Sequence, residues 1–180
     1  MASLTPGAVS LAGFTLAHAV WDVSDAEPDE FLAPVGMLEL QGQRRLVRFE
    51  SGSSEDAVAR AEAEMREASA DADAWAFARE AAWRPSGPAG ELQDVVVVEF
   101  WGEGMDAPAA VLQPFERGAP GRPFRLTDPP TLAVGGNPVS ATDAEPALRV
   151  LERGFQSHDV AAKFWPTRPT GESGGAGGDA

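Results

Sequence analysis

The chain has 180 residues, 43% of them hydrophobic, which is enough to bury one sizeable core without calling for a second domain. Its 28 acidic residues against 14 basic ones give a formal net charge of −14 and a pI near 4.4, so it repels phosphate backbones, and neither nucleic acid nor a membrane is expected as a partner. Cysteine is absent, which excludes disulfides, thiolate nucleophiles and thiolate metal sites and fits a reducing, cytoplasmic location.

Residues 1–13 carry Pro6, Gly7 and Gly13 without periodicity and read as a flexible arm. The stretch Met1 to Val20 lacks the basic start of a signal peptide, and its breakers argue against a membrane span. From Phe14 to Val23 the pattern alternates, with Phe14, Leu16, His18 and Val20 on one side and Ala17, Ala19, Trp21 and Val23 on the other, so a first strand is expected. An acidic turn at Ser24 to Asp29 leads to two β-patterned runs, Val35 to Gln41 and Arg44 to Glu50, joined by a tight turn at Gly42-Gln43. The first third is thus expected to be a three-stranded meander.

Ser53-Ser54-Glu55-Asp56 has the chemistry of a helix start, and Ala57, Val58, Ala61, Met65 and Ala68 then recur at helical spacing. Trp75, Phe77, Arg79, Ala81 and Trp83 instead fall two apart, which predicts a strand over Trp75 to Arg84. On its other side Ala74, Ala76 and Ala78 leave a smooth face on which a helix could sit closely. After a loop at Pro85 to Gly90 comes Asp94-Val95-Val96-Val97-Val98-Glu99-Phe100-Trp101. Its β-branched and aromatic residues are apolar on both sides through Phe100, the mark of a strand covered on both faces and central in its sheet.

Further strands are expected at Ala110 to Glu116, Phe124 to Thr127 and Thr131 to Val134. Thr142-Asp143-Ala144-Glu145 has the spacing of a capping box before a helix whose apolar face is Ala144, Ala147, Leu148, Leu151 and Phe155, ending or bending near Gly154. Ser157-His158-Asp159 could cap one more turn, stopped by Pro166, and residues 167–180 form a Gly-rich tail. The expected fold is α+β: one domain over residues 14–166, with a mostly antiparallel sheet of about six or seven strands and two main helices packed on it. Both halves can also be written β-β-β-α, the trace a duplication would leave.

No phosphate-binding glycine loop, dinucleotide fingerprint or nucleophile elbow occurs, and no cofactor is expected. His18 and Asp22 share a predicted face and are the catalytic candidates, since a carboxylate can orient an imidazole base. His158-Asp159 is weaker, because helix neighbours point apart. Two histidines without a third ligand at diagnostic spacing do not make a metal site. The dense run Asp25, Glu27, Asp29 and Glu30 lacks the glycine and terminal glutamate of a calcium loop and reads as a solvated turn.

Glu99 lies in line with Val95, Val97 and Trp101, so its carboxylate must reach water, pair with an arginine such as Arg48 or Arg79, or serve a ligand. A ligand site would combine Glu99 with Trp101, Trp75 and Trp21, holding a cationic or hydrogen-bonding molecule against aromatic faces. Two function classes follow. One is a binding domain for a small molecule or for a protein partner docked on Trp83, Phe164 or Trp165, with a homodimer among the allowed arrangements. The other is a small enzyme using His18, Asp22 and Glu99 for acid–base chemistry, the two being separated by whether those three residues converge.

Overall fold

The computed structural model of the chain describes residues 4–27, 30–49, 55–85 and 90–165. Its elements are α1 (Pro6–Asp25), β1 (Val35–Leu40), β2 (Gln43–Arg48), α2 (Glu55–Ala68), β3 (Ala74–Trp83), β4 (Gln93–Gly102), β5 (Ala109–Glu116), β6 (Arg125–Leu126), β7 (Thr131–Val134), β8 (Asn137–Pro138) and α3 (Ala141–Gln156). A 3₁₀ turn at Ala161–Phe164 follows. The strands form one antiparallel sheet in the order β2-β1-β3-β4-β5-β7-β8, with β6 on β5. The fold is α+β as expected, and the valine strand β4 occupies the middle of the sheet.

Burial on both faces of β4 explains its unbroken apolar run, since Val95, Val96, Val97, Val98 and Phe100 are all buried. Ala74, Ala76, Ala78, Val96, Val98 and Phe100 join the main core, which also holds α1 and the apolar face of α3. A smaller core on the other face packs Ala61 and Met65 of α2 against Leu38 and Phe77. The smooth alanine face of β3 thus receives a helix, as its small side chains allow.

That helix is α1, where a flexible arm and a first strand were expected. Its apparent alternation is that of a helix buried on nearly every side, with Leu11, Ala12, Leu16, Ala17, Ala19 and Val20 all at 0% exposure. A helix covered all round has no wet face, so the 3.6-residue signature of amphipathic helices is missing. Pro6 stands in its first turn, where a missing N–H is tolerated, and the alanines favour helix. With α1 in place, the three-stranded meander and the β-β-β-α repeat both fail in the first half, which runs α-β-β-α.

Smaller shifts have local causes. In the β1–β2 hairpin Leu40 pairs with Gln43, so the two-residue turn is Gln41-Gly42 rather than Gly42-Gln43. Both turn residues have positive φ, 51° and 75°, as the right-handed strand twist favours. The cap of α3 sits two residues earlier than expected: the Asp143 N–H donates to Ser140 Oγ at 3.3 Å, and the Ser140 hydroxyl donates to Asp143 Oδ2 at 2.6 Å. The end of α3, expected near Gly154, falls at Gln156. The Ser53-Ser54 cap, Asp29 of the acidic turn and the 167–180 tail lie outside the described residues.

Candidate functional site

Two places gather the residues singled out above, on opposite faces of the sheet. The first is a groove of about 350 Å³ between α2 and the β3–β4 pair, lined by Glu62, Met65, Arg66, Ser69, Trp75, Phe77, Glu99 and Pro108. Its volume is at the small end of the range of about 300–1,000 Å³ typical of ligand sites. Strand register builds the floor: Glu99 of β4 stands opposite Phe77 of β3, and Trp101 stands opposite Trp75. The other cross-strand neighbour of Glu99 is Ala110, whose methyl leaves the carboxylate uncrowded. Met65 and Phe77 are buried, whereas the Glu99 side chain is 43% exposed.

Arg79 lies two residues on from Phe77, on the same face, between two carboxylates. Its Nη2 is 3.7 Å from Glu99 Oε1 and its Nε 3.4 Å from Glu62 Oε1, although the latter contact is not aligned as a hydrogen bond. Glu99 therefore both reaches water and pairs with Arg79, as one of the sequence expectations has it. No hydrogen bond to a Glu99 oxygen is formed among the described residues, so its acceptors are open to a donor. The groove thus offers an apolar floor, an accessible carboxylate and, in Arg66 and Arg79, two nearby cations that keep the site from being strongly negative.

Of the four expected ligand contacts, Glu99 and Trp75 meet in the groove. Trp101 does not line it, turning its Nε1–H to the Met105 carbonyl at 3.0 Å. Trp21 belongs to the second place, on the far side of the sheet. There His18 and Asp22 do share a face, one helical turn apart rather than two strand pairs, with His18 Nε2 3.8 Å from Asp22 Oδ2. His158 joins them, its Nε2 3.3 Å from His18 Nδ1. Arg48 of β2 is 2.8 Å from His18 Nε2 and donates to Asp22 Oδ2 at 3.2 Å.

No family model, no curated protein and no solved structure matches this chain.

Function must therefore be argued from these two places. Burial lowers the His18 pKa from its ordinary value, Asp22 pulls it back up, and Arg48 and His158 add to the lowering. A neutral imidazole is the form a base needs. Among the described residues, however, no hydroxyl or lysine hydrogen-bonds to either ring, and Glu99 is across the sheet, so the three residues that an enzyme would bring together do not converge. Among the same residues no three ligating side chains are grouped to hold a metal. Phe164 and Trp165 are half-buried, packed against Phe124 and Phe155 with ring centroids 5.3 and 4.8 Å apart, and Trp83 is half-buried as well. Among the described residues the exposed large apolar ones are Phe31, Leu46, Leu92 and Val160.

Sequence reading left unnoticed the α2 side of the groove, Glu62 and Arg66 with Ser69 just past the helix end, because Glu62 and Arg66 look like any solvated helix face. It also missed His158 as the partner of His18. No local signal links positions 140 apart.

Proposed function

We propose that this chain is a non-catalytic small-molecule-binding domain, and that the groove between α2 and β3–β4 takes a flat apolar ligand carrying one amine or amide donor. The observation that supports this most directly is the juxtaposition of Glu99 with Trp75 over an apolar floor: an accessible carboxylate beside an aromatic ring. The ligand body displaces water from the half-buried Trp75 ring, behind which Phe77 and Met65 are already buried, gaining about 25 cal/mol for each Å² of apolar surface covered. Its donor is fixed by Glu99, a charge-assisted hydrogen bond stronger than a neutral one. Arg79 Nη2, 3.7 Å from Glu99 Oε1, stands beside the carboxylate without hydrogen-bonding it, so the acceptor stays open to the ligand.

The test is a thermal-shift screen of aromatic amines and amides against the whole chain and its Glu99→Gln variant, because a ligand bound only by the folded form raises the midpoint. Compounds of this class are expected to stabilise the wild-type protein and to lose that effect in Glu99→Gln, whose own midpoint stays close to wild type. Equal stabilisation of both proteins, or none of either at millimolar ligand, overturns the reading.

A further inference from the structure

Arg79 stands beside the open carboxylate of Glu99 and is itself short of acceptors. Its Nε is buried without a hydrogen-bond partner, 3.4 Å from a Glu62 oxygen but out of line with it, and its Nη2 stops 3.7 Å from Glu99 Oε1, beyond hydrogen-bond reach. A partly buried guanidinium ordinarily has its N–H groups taken up by acceptors. We infer, on the footing of the binding groove proposed above, that the ligand is an aromatic α-amino acid, with its ammonium on Glu99, its carboxylate on the Nη side of Arg79 and its ring on Trp75.

Charge decides between an amine and an amino acid. The groove is bordered by two carboxylates, Glu62 and Glu99, and by two cations, Arg66 in its wall and Arg79 beside it. An ammonium that reaches Glu99 Oε1 also approaches the Arg79 guanidinium, and without a counter-charge of its own it is repelled there. A carboxylate one carbon away offsets that repulsion. The spacing fits, because a single carbon separates the two charged groups of an α-amino acid and 3.7 Å separates the protein atoms that receive them. The guanidinium fork can hold a carboxylate through two parallel hydrogen bonds, which a lone amide oxygen does not offer. The zwitterion is neutral as a whole, so it leaves the two-against-two balance of the groove unchanged.

Arg79 also has free space on its own side. It lines a neighbouring cavity of about 500 Å³ that shares Glu62 with the groove. The other acidic residues of that cavity do not compete for it: Glu80 is paired with Arg117, and Asp94 is exposed, three residues along β4 from Val97, the cross-strand partner of Arg79. On the apolar side the half-buried Trp75 presents its ring to the ligand ring. A groove of about 350 Å³ suits a molecule of one or two rings.

Thermal-shift dose series on the full-length protein at neutral pH separate the two charges. L-tryptophan and L-phenylalanine carry both, tryptamine and phenethylamine only the ammonium, and 3-indolepropionate and 3-phenylpropionate only the carboxylate. In the better-binding ring series the amino acid is expected to bind about tenfold more tightly than its amine, the effect of one charge-assisted hydrogen bond, with the propionate weakest. In Arg79→Gln the amino acid is expected to fall to the affinity of the amine, while the amine, no longer facing a cation, holds or improves. The wild-type comparison stands whether or not that variant folds. Amines that bind wild type as tightly as the amino acids overturn the amino-acid assignment and leave the groove's preference for an amine donor standing. Unchanged amino-acid affinity in a folded Arg79→Gln overturns it as well, and no response to any of the six compounds at millimolar concentration overturns both the assignment and the groove.

Discussion

Gly13 of α1 and Gly154 of α3 lie at one helix crossing, each pressed against the backbone of the other helix. A Cβ on Gly13 would fall on the Leu151 carbonyl oxygen, and one on Gly154 would fall on the Ser10 carbonyl oxygen. Backbone cannot swing aside as a side-chain tip can, so the two helices must separate to admit even a methyl group. Gly13→Ala and Gly154→Ala are each expected to destabilise the fold by about 1–3 kcal/mol or more, read as a lower urea midpoint. Gly7→Ala, with open space around it in the same helix, is the control and is expected to be neutral or stabilising.

The pair Glu80–Arg117 is expected to be the ion pair that matters for stability. Arg117 Nη2 contacts both Glu80 oxygens, at 2.6 and 2.5 Å, and Glu80 Oε2 also accepts the Leu32 N–H at 3.1 Å. The two side chains are only 9% and 17% exposed. Removing one partner leaves a charge in a poorly solvated place, so Glu80→Gln is expected to cost about 3 kcal/mol. Arg149→Ala, which breaks an exposed pair with Glu145, is expected to cost less than about 0.5 kcal/mol. Chemical denaturation of the two variants at low and high salt distinguishes them.

Trp75 and Trp101 are cross-strand partners with different predicted roles. Trp75→Ala is expected to remove the ligand-induced rise in melting temperature, because its ring forms the floor of the groove. Trp101→Phe loses the hydrogen bond to Met105, about 1 kcal/mol, and is expected to keep the ligand response. Thermal shift with the ligand found for the wild-type protein reads both.

Acid sensitivity carries a definite sign. The pKa of His18 is lowered by folding, so above about pH 6.5 the ring is neutral in both states, and below it the unfolded chain takes the proton first. This contribution to stability is therefore complete above about pH 6.5 and is lost as pH falls toward the folded-state value. Arg48→Gln removes one of the causes of lowering and narrows the gap, so it is expected to lose less stability than wild type on acidification. Urea midpoints of both proteins across the acid range, each referred to its own value near pH 8, give the comparison.

Sequence alone determined the elements whose pattern depends on local chemistry. The valine strand was legible because both of its faces are buried and its apolar run is unbroken, and the alternating strand from Trp75, the hairpin and the stripe of α2 because the two sides of each meet different environments. For the same reason the sequence picked out Glu99, a carboxylate in line with apolar residues, and named Arg79 among its partners. Only the tertiary structure decided what α1 is, since a helix enclosed by the sheet and by α3 carries no polar face to mark its period. It also decided that His18 meets His158 and that Trp75 shares a groove with Glu99 while Trp21 does not. Those pairings follow from strand register and helix crossing, which bring distant positions together by packing, and packing of this kind leaves no trace in the spacing of neighbouring residues.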